Sequence, residues 1–345
     1  MAILCVVVAL ATELSGCSGL QTRNEIKKPG AGTSEESGRS QSVDSRPTEN
    51  QAEGQAPEKV TSDNFLNRKL PKVGVLLGPG GMKSFAHLGV LRELERSRIP
   101  VDVVAGMEWG ALMGGLYAMN GQVNDAEWKA FKLKESDLPE EEFLSKKIKI
   151  KPVQSLQRYL VDVFGRTLVE NSKIIFSCPT QTLKEGHTYW LRRGGLRDAV
   201  KKCLPYPPLF ESGRGYYAAP TELSEAVRWM KSQGVELVIY VDVLSQGEFL
   251  SANHLQEHLV DRLLWGEVRK NSLEMRNKMA ESKERSNLQA NVDPLKSDLS
   301  VPILIVDVNT TGFPLTDFKD RRLIMEAGQK AVEATIQEMV RTYGF

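Results

Sequence analysis

Between Gly106 and Gly110 the chain reads Gly-Met-Glu-Trp-Gly, with a carboxylate, Glu108, at the centre of the turn. An apolar run, Val101 to Ala105, leads in, and Ala111 to Ala118, rich in small residues, leads out as a helical pattern. Strand, sharp turn and helix together form an elbow, which raises one side chain above a sheet so that it can attack. In acyl transfer an oxygen or sulfur attacks the carbonyl, a base removes its proton, and backbone N–H groups hold the oxyanion. A second segment has the form of such an oxyanion cradle. Gly78-Pro79-Gly80-Gly81-Met82-Lys83-Ser84 follows the apolar run Val73 to Leu77 and precedes the helical pattern Phe85 to Arg96. A glycine-rich bend at a helix start presents backbone amides to an oxyanion or a phosphate. The frame of an acyl-transfer site is therefore present, but a carboxylate, a weak nucleophile toward esters, stands at its apex.

The two segments together resemble the patatin-like phospholipase family, in which a glycine-rich oxyanion loop precedes a Gly-x-Ser-x-Gly elbow. A later Asp-Gly-Gly or Asp-Gly-Ala completes that family's Ser-Asp dyad. Leu196 to Ala199, the proline-rich Leu204 to Phe210, Thr221 to Val243, Leu315 to Phe318 and Ala327-Gly328 extend the resemblance to about Val73 to Ile336. Position by position, it places the nucleophile at Glu108 and the catalytic aspartate at Ala218, within Tyr216-Tyr217-Ala218-Ala219-Pro220. Both halves of the dyad are replaced. The oxyanion loop Gly80, Gly81, Met82 and Lys83 has drifted as well: Pro79 stands for the first glycine, Lys83 for an arginine and Ser84 for a further glycine. The elbow glycines Gly106 and Gly110 remain. Departures spread over a whole site imply a natural pseudoenzyme. Glu108 is then expected to act as an internal anion in the old oxyanion socket, where a helix N-terminus favours negative charge by roughly 0.3 to 1 kcal/mol, with Lys83 as its ion-pair partner. One enzymatic alternative makes Ser84 a relocated nucleophile. In another alternative the chain is a structural scaffold with a closed pocket. An open apolar cleft under Glu108 would favour a phospholipid or fatty acyl ligand, and a filled one the scaffold.

The elements that must position these residues follow from periodicity. Apolar strand candidates at Val73–Leu77, Val101–Ala105, Lys173–Cys178, Thr188–Leu191, Val235–Val243 and Pro302–Val308 alternate with helical patterns. The helices are placed at Phe85–Ser97, Trp109–Met119, Thr221–Ser232, Leu255–Ser286 and Arg321–Tyr343. The alternation predicts an α/β fold, and the resemblance implies a patatin-like three-layer α/β/α domain with a mainly parallel central sheet. Asn120 to Leu168 is the stretch least like the family and is read as a lid or side wall. Within it Lys146, Lys147, Lys149 and Lys151 alternate with isoleucines as in a half-exposed strand. Leu255 to Asn291 reads as a long charged helix packed on the domain.

The chain has 345 residues, of which 45 are Lys or Arg and 44 Asp or Glu, for a net charge of +1. Such a balance gives no electrostatic case for nucleic acid. Residues 71–345 suffice for one buried core. Residues 18–70, with no aromatic side chain between Ser18 and Asn64, read as a disordered tether. Ahead of it, residues 1–17 resemble a bacterial lipoprotein signal, an apolar Ala2 to Ala11 followed by the lipobox Leu14-Ser15-Gly16-Cys17. Lipidation at Cys17 implies an anchor in the bacterial cell envelope. The outer membrane is favoured over the inner by Ser18, with the domain in the periplasm and an envelope protein as a further candidate partner. Cys178 and Cys203 remain; in an oxidising periplasm they could pair, but Cys178 ends an apolar run and Cys203 a helical one, so two separate buried thiols are expected. The dispersed His87, His187, His254 and His258 form no metal motif, so neither a metal nor another cofactor is expected. His87, beside the glycine loop, is read as structural.

Overall fold

Alternation of side chains along the first strand sets the architecture of this computed structural model, which describes residues 69–141, 148–182, 184, 186–207, 209–212, 214–245, 265–277 and 301–345. In β1 (Val73–Leu77), Val73, Val75 and Leu77 enter one apolar core and Leu76 enters another, because successive strand residues face opposite sides. A strand buried on both faces is continuously apolar and needs helices on both sides. The neighbours β2 (Val103–Gly106), β3 (Ile175–Thr182), β6 (Leu237–Asp242) and β7 (Ile303–Asp307) all join it through parallel pairings. Two antiparallel strands, β4 (Thr188–Leu191) and β5 (Tyr216–Ala218), pair with the extended far half of β3. The order is β7-β6-β1-β2-β3-β4, with β5 also on β3.

The first core lies under α1 (Phe85–Arg96), α2 (Trp109–Asn120), α5 (Leu196–Cys203) and α8 (Arg321–Tyr343). The second lies under α6 (Leu223–Ser232) and Met275 of the helix α7 over 265–277, whose Trp265 and Val268 belong to the first. These are the three layers expected. Helices α1 and α8 cross where Gly89 and Gly328 face each other's backbones: a Cβ on Gly89 would overlap Met325 O, and one on Gly328 would overlap Ala86 O. Glycine is needed there for close approach.

Asn120 to Leu168 folds as α3 (Val123–Phe131), short turns and α4 (Gln157–Phe164), with two-residue strands at Glu140–Glu141, Ile148–Lys149 and Lys151–Pro152. Helix α4 buries Leu160, Val163 and Phe164, so the stretch is a side wall of the first core. The expectation of separate thiols is corrected: Cys178 on β3 and Cys203 at the end of α5, with Cα atoms 6.2 Å apart, form a disulfide. Separate thiols were favoured over this pairing because the apolar run was taken to end at Cys178; the strand β3 instead runs on to Thr182, with Cys178 inside it and beside the last turn of α5. The signal, Cys17, nearly all of the tether, Lys146, Lys147, His254, His258 and both ends of the long charged helix lie outside the described residues.

Candidate functional site

The carboxyl ends of β1 and β2 lie side by side, Leu77 opposite Gly106, so the loops that follow them meet. After β1, Gly78 N–H donates to Val241 O at 3.1 Å, and the chain then turns through Gly80 and Gly81 into a short 3-10 turn, Gly81–Ser84. After β2, Met107 N–H donates to Leu77 O at 2.9 Å, Gly110 N–H to Met107 O at 2.8 Å and Ala111 N–H to Glu108 O at 3.0 Å. These bonds hold Glu108 at φ 50 and ψ −119, strained for a residue with a side chain and typical of an elbow. The two elbow glycines are forced by contact. A Cβ on Gly110 would sit 2.5 Å from Leu77 O and 2.8 Å from Gly78 O, and one on Gly106 would overlap Gly110 O.

From this elbow the Glu108 side chain turns into the glycine loop. Its Oε2 accepts from Gly80 N–H at 3.0 Å and from Gly81 N–H at 2.9 Å. The side chain is wholly buried, and Oε1 has no hydrogen-bond partner among the described residues. The third loop amide, Met82 N–H, is taken by Leu315 O at 2.7 Å. A carboxyl oxygen thus lies where the oxyanion of an acyl-transfer intermediate would be held. Burial raises the Glu108 pKa from its ordinary value to about 7, against the lowering effect of the Trp109, Gly81 and Gly80 amides. This corrects the expectation that the socket stabilises the charge. The helix terminus and amides favour the anion, but loss of water disfavours it more.

Lys83 does not turn to Glu108. Its ammonium donates to Thr310 Oγ1 at 3.2 Å and Thr310 O at 3.4 Å. Burial first, then the neighbouring charge of Arg269, lower its pKa to about 8. Ser84 Oγ is buried and without a hydrogen-bond partner, so no described base stands within reach to activate it. His87 Nε2 lies 2.8 Å from Gly78 O. A carbonyl only accepts, so Nε2 carries the proton, and Nδ1 is left buried without a partner. Burial lowers the pKa of His87 to about 4, which keeps the ring neutral. His87 is therefore a fastener of the glycine loop. Ala218 ends β5, buried, with its N–H on Pro205 O at 2.8 Å, and its methyl offers no proton acceptor. Among the described residues no group of histidine, cysteine or carboxylate side chains could hold a metal.

Among the described residues the apolar space beside the elbow is small. Met82, Trp109, Leu138, Leu209, Phe210 and Leu315 line a cavity of about 10 Å³, room for about one water molecule. Sequence reasoning had not singled out Tyr206, Thr310 and Leu315 as parts of the site. Tyr206 senses the Glu108 charge, its pKa raised by burial and then by Glu108 and Glu267. Tyr206 and Leu315 lie in segments that had shown the family resemblance, and that was their only signal.

An elbow and a glycine loop at the carboxyl edge of a mainly parallel sheet, between two helical layers, define a patatin-type domain. Residues 75–242 match the model of patatin-like phospholipases, and this part of the chain is a patatin-like domain. Similar proteins include the lysophospholipase nte1 of Neurospora crassa, 28% identical over 54% of this chain and 13% of that protein, and the lysophospholipase NTE1 of Pyricularia oryzae, 27% identical over the same shares. The chain thus spans about an eighth of the length of these relatives. Among solved structures, VipD from Legionella pneumophila overlays with a TM-score of 0.41 at 11% identity, over 78% of this chain and 67% of that one.

Proposed function

We propose that this protein is a non-hydrolytic patatin-like protein whose catalytic centre is filled by its own Glu108 and which acts through its surface, as a scaffold for an envelope partner. The observation that carries the reading is the pair of hydrogen bonds from Gly80 and Gly81 to Glu108 Oε2. With Glu108 at the elbow and Ala218 at the aspartate position, neither the attacking oxygen nor its base is available. The small cavity supports a closed scaffold over a lipid-binding pocket. Lipidation at Cys17, with the domain in the periplasm, belongs to the same proposal and rests on the lipobox. A buried disulfide supports residence in an oxidising compartment. No helix among the described residues is long and apolar enough to cross a membrane.

Turnover of phospholipid, lysophospholipid and simple esters by the natural protein and by the double variant Glu108→Ser, Ala218→Asp tests the proposal. The natural protein is expected to show no turnover above the uncatalysed rate, and the variant to gain some. Turnover by the natural protein that disappears in Ser84→Ala would establish a rebuilt hydrolase and end the non-hydrolytic reading.

A further inference from the structure

Strands β1, β2 and β3 begin on one edge of the sheet, since Gly74 is the register partner of Val103 and Val103 of Ile175. Glu108 lies at the other edge, just after β2 ends. Strand β4 runs antiparallel to β3, with Leu191 opposite Cys178, so Arg192 and Arg193 head away from the elbow toward the first edge. There the chain that follows β4 crosses the chain that leads into β3. Leu168 and Gly195 form an antiparallel bridge, Leu196 N–H donates to Thr167 O at 2.9 Å, and Val169 N–H donates to Gly194 O at 2.8 Å. Arg166 and Arg197 flank the first of these bonds, and Arg193 adjoins the second.

Arg166, Lys173, Arg192 and Arg193 are exposed, and among the described residues none of their side chains has a hydrogen-bond or ion-pair partner. The carboxylates of this edge are engaged elsewhere. Glu170 Oε2 accepts from Gly194 N–H at 2.8 Å, and Asp198 touches Arg197 at 3.3 Å. Asp102 and Glu236 accept from the amides of Val73 and Lys72 at 2.8 and 2.9 Å. Cations are therefore left unmatched here, although the whole chain carries only +1. Guanidinium groups meet phosphate oxygens through paired N–H donors. Leu168 and Ile175, 38% and 41% exposed, stand among these cations. Apolar side chains beside basic ones suit the boundary between headgroups and acyl chains better than they suit a nucleic acid. Position adds a third argument: residues 18–70, read as the tether, join the domain just ahead of β1, at this same edge. A bilayer that holds the tether faces it.

We propose that this edge is the face by which the domain rests on an anionic phospholipid bilayer, with Arg166, Lys173, Arg192 and Arg193 on the lipid phosphates and Leu168 and Ile175 between the headgroups. The choice of a bilayer rests on the envelope reading given above. Co-sedimentation of the full chain with vesicles tests the face, with Cys17→Ser present throughout so that no acyl chain binds in its place. One set of vesicles is phosphatidylcholine alone and the other is phosphatidylcholine and phosphatidylglycerol in a two-to-one ratio. Each basic residue close to an anionic surface strengthens binding about fivefold. The chain is expected to prefer the anionic vesicles by at least about tenfold at 0.1 M salt, and to lose that preference at 1 M, where the screening length falls from about 10 Å to about 3 Å. The triple variant Arg166→Gln, Arg192→Gln, Arg193→Gln is expected to lose at least about tenfold in binding to anionic vesicles. Lys184→Gln, Arg214→Gln, Lys319→Gln removes as many exposed charges away from this edge and is expected to lose at most about twofold. Equal binding to both kinds of vesicle would overturn the face, and so would equal losses in the two variants, which would mean that net charge alone decides. Capture by duplex DNA at 0.1 M salt with no binding to the vesicles would assign the arginines to a nucleic acid and overturn it too. A natural chain purified from cells without diacylglycerol on Cys17 would end the lipid anchor and leave vesicle binding standing, whereas an acylated chain whose Cys17→Ser form shows no preference would do the reverse.

Discussion

Replacing Glu108 by Gln keeps the shape and the accepting oxygen and removes the titration. The natural carboxyl has its pKa raised from 4.5 to about 7 by burial. The sign follows from proton counts. Between pH 4.5 and 7 the folded state holds a proton at Glu108 that the unfolded chain has released, so this group's stabilisation is complete below about 4.5 and is lost as pH rises through 7. At about 1.4 kcal/mol per pKa unit the full range is about 3 kcal/mol, of which about 2 kcal/mol falls between pH 5.5 and pH 8. The raw stability profile will not display it, because His87 works in the opposite direction. Its pKa of about 4 makes the unfolded chain take up a proton below 6.5 that the fold refuses, which destabilises the fold in acid. The difference between variant and natural protein cancels His87 and every other uncoupled group. Urea denaturation of both proteins at half-unit intervals from pH 5.5 to pH 8 is the assay. Glu108→Gln is expected to gain stability relative to the natural protein by about 2 kcal/mol across that range. A difference that stays flat to within about 0.5 kcal/mol would mean that Glu108 is ionised throughout, and would refute the reasoning that burial outweighs the amides of the glycine loop.

The same structure fixes other outcomes. Gly110→Ala drives a methyl against Leu77 O and Gly78 O and should cost at least about 1 to 3 kcal/mol, read as a lowered melting temperature. Replacing Cys178 and Cys203 together by Ala opens a link between positions 25 residues apart, worth about 3 to 4 kcal/mol by chain entropy; the variant should unfold at the same urea concentration with or without dithiothreitol, while the natural protein should not. His87→Gln should flatten the loss of stability as pH falls from about 6.5 to about 4, a window in which only the unfolded natural chain takes up the His87 proton.

Strands and helices that span the core were legible because their pattern is local. β1, β4 and α8 appear with the bounds that periodicity gave them, and α1 and α2 differ by one residue at an end. The elbow was legible for another reason: glycines 106 and 110 are forced by contacts inside a five-residue turn and the strand beside it. What escaped the sequence depends on distant parts of the chain. Lys83 donates to Thr310, 227 residues away. The partner of Cys178 depends on the length of β3, and the neighbour of Glu108 at Tyr206 depends on how a proline-rich loop lies over the sheet. The sign of the Glu108 energetics was misjudged because burial cannot be read from a turn motif. The amides that face the carboxyl were foreseeable, but the complete loss of water around it was not.

That misjudgement changes what kind of block Glu108 makes. Were the socket a good home for a charge, the block would be electrostatic, and removing the charge would reopen the site. Two amide bonds to a charged oxygen are worth about 1.5 to 3 kcal/mol each, and the helix terminus adds at most about 1. A fully buried carboxylate loses several kcal/mol of hydration, and the raised pKa records that this loss wins. The carboxyl is therefore held as readily neutral as charged near pH 7, and it obstructs because its oxygen fills the space between Gly80, Gly81 and the elbow. A neutral glutamine of the same length keeps that oxygen in place. Glu108→Gln should be as inactive as the natural protein toward every ester, and Glu108→Ala should empty the cradle without supplying a nucleophile. Only a short nucleophilic residue together with a base at position 218 meets both requirements. Any hydrolysis by Glu108→Gln would show that a nucleophile other than residue 108 reaches the ester while the cradle is still filled, and would sink the steric account.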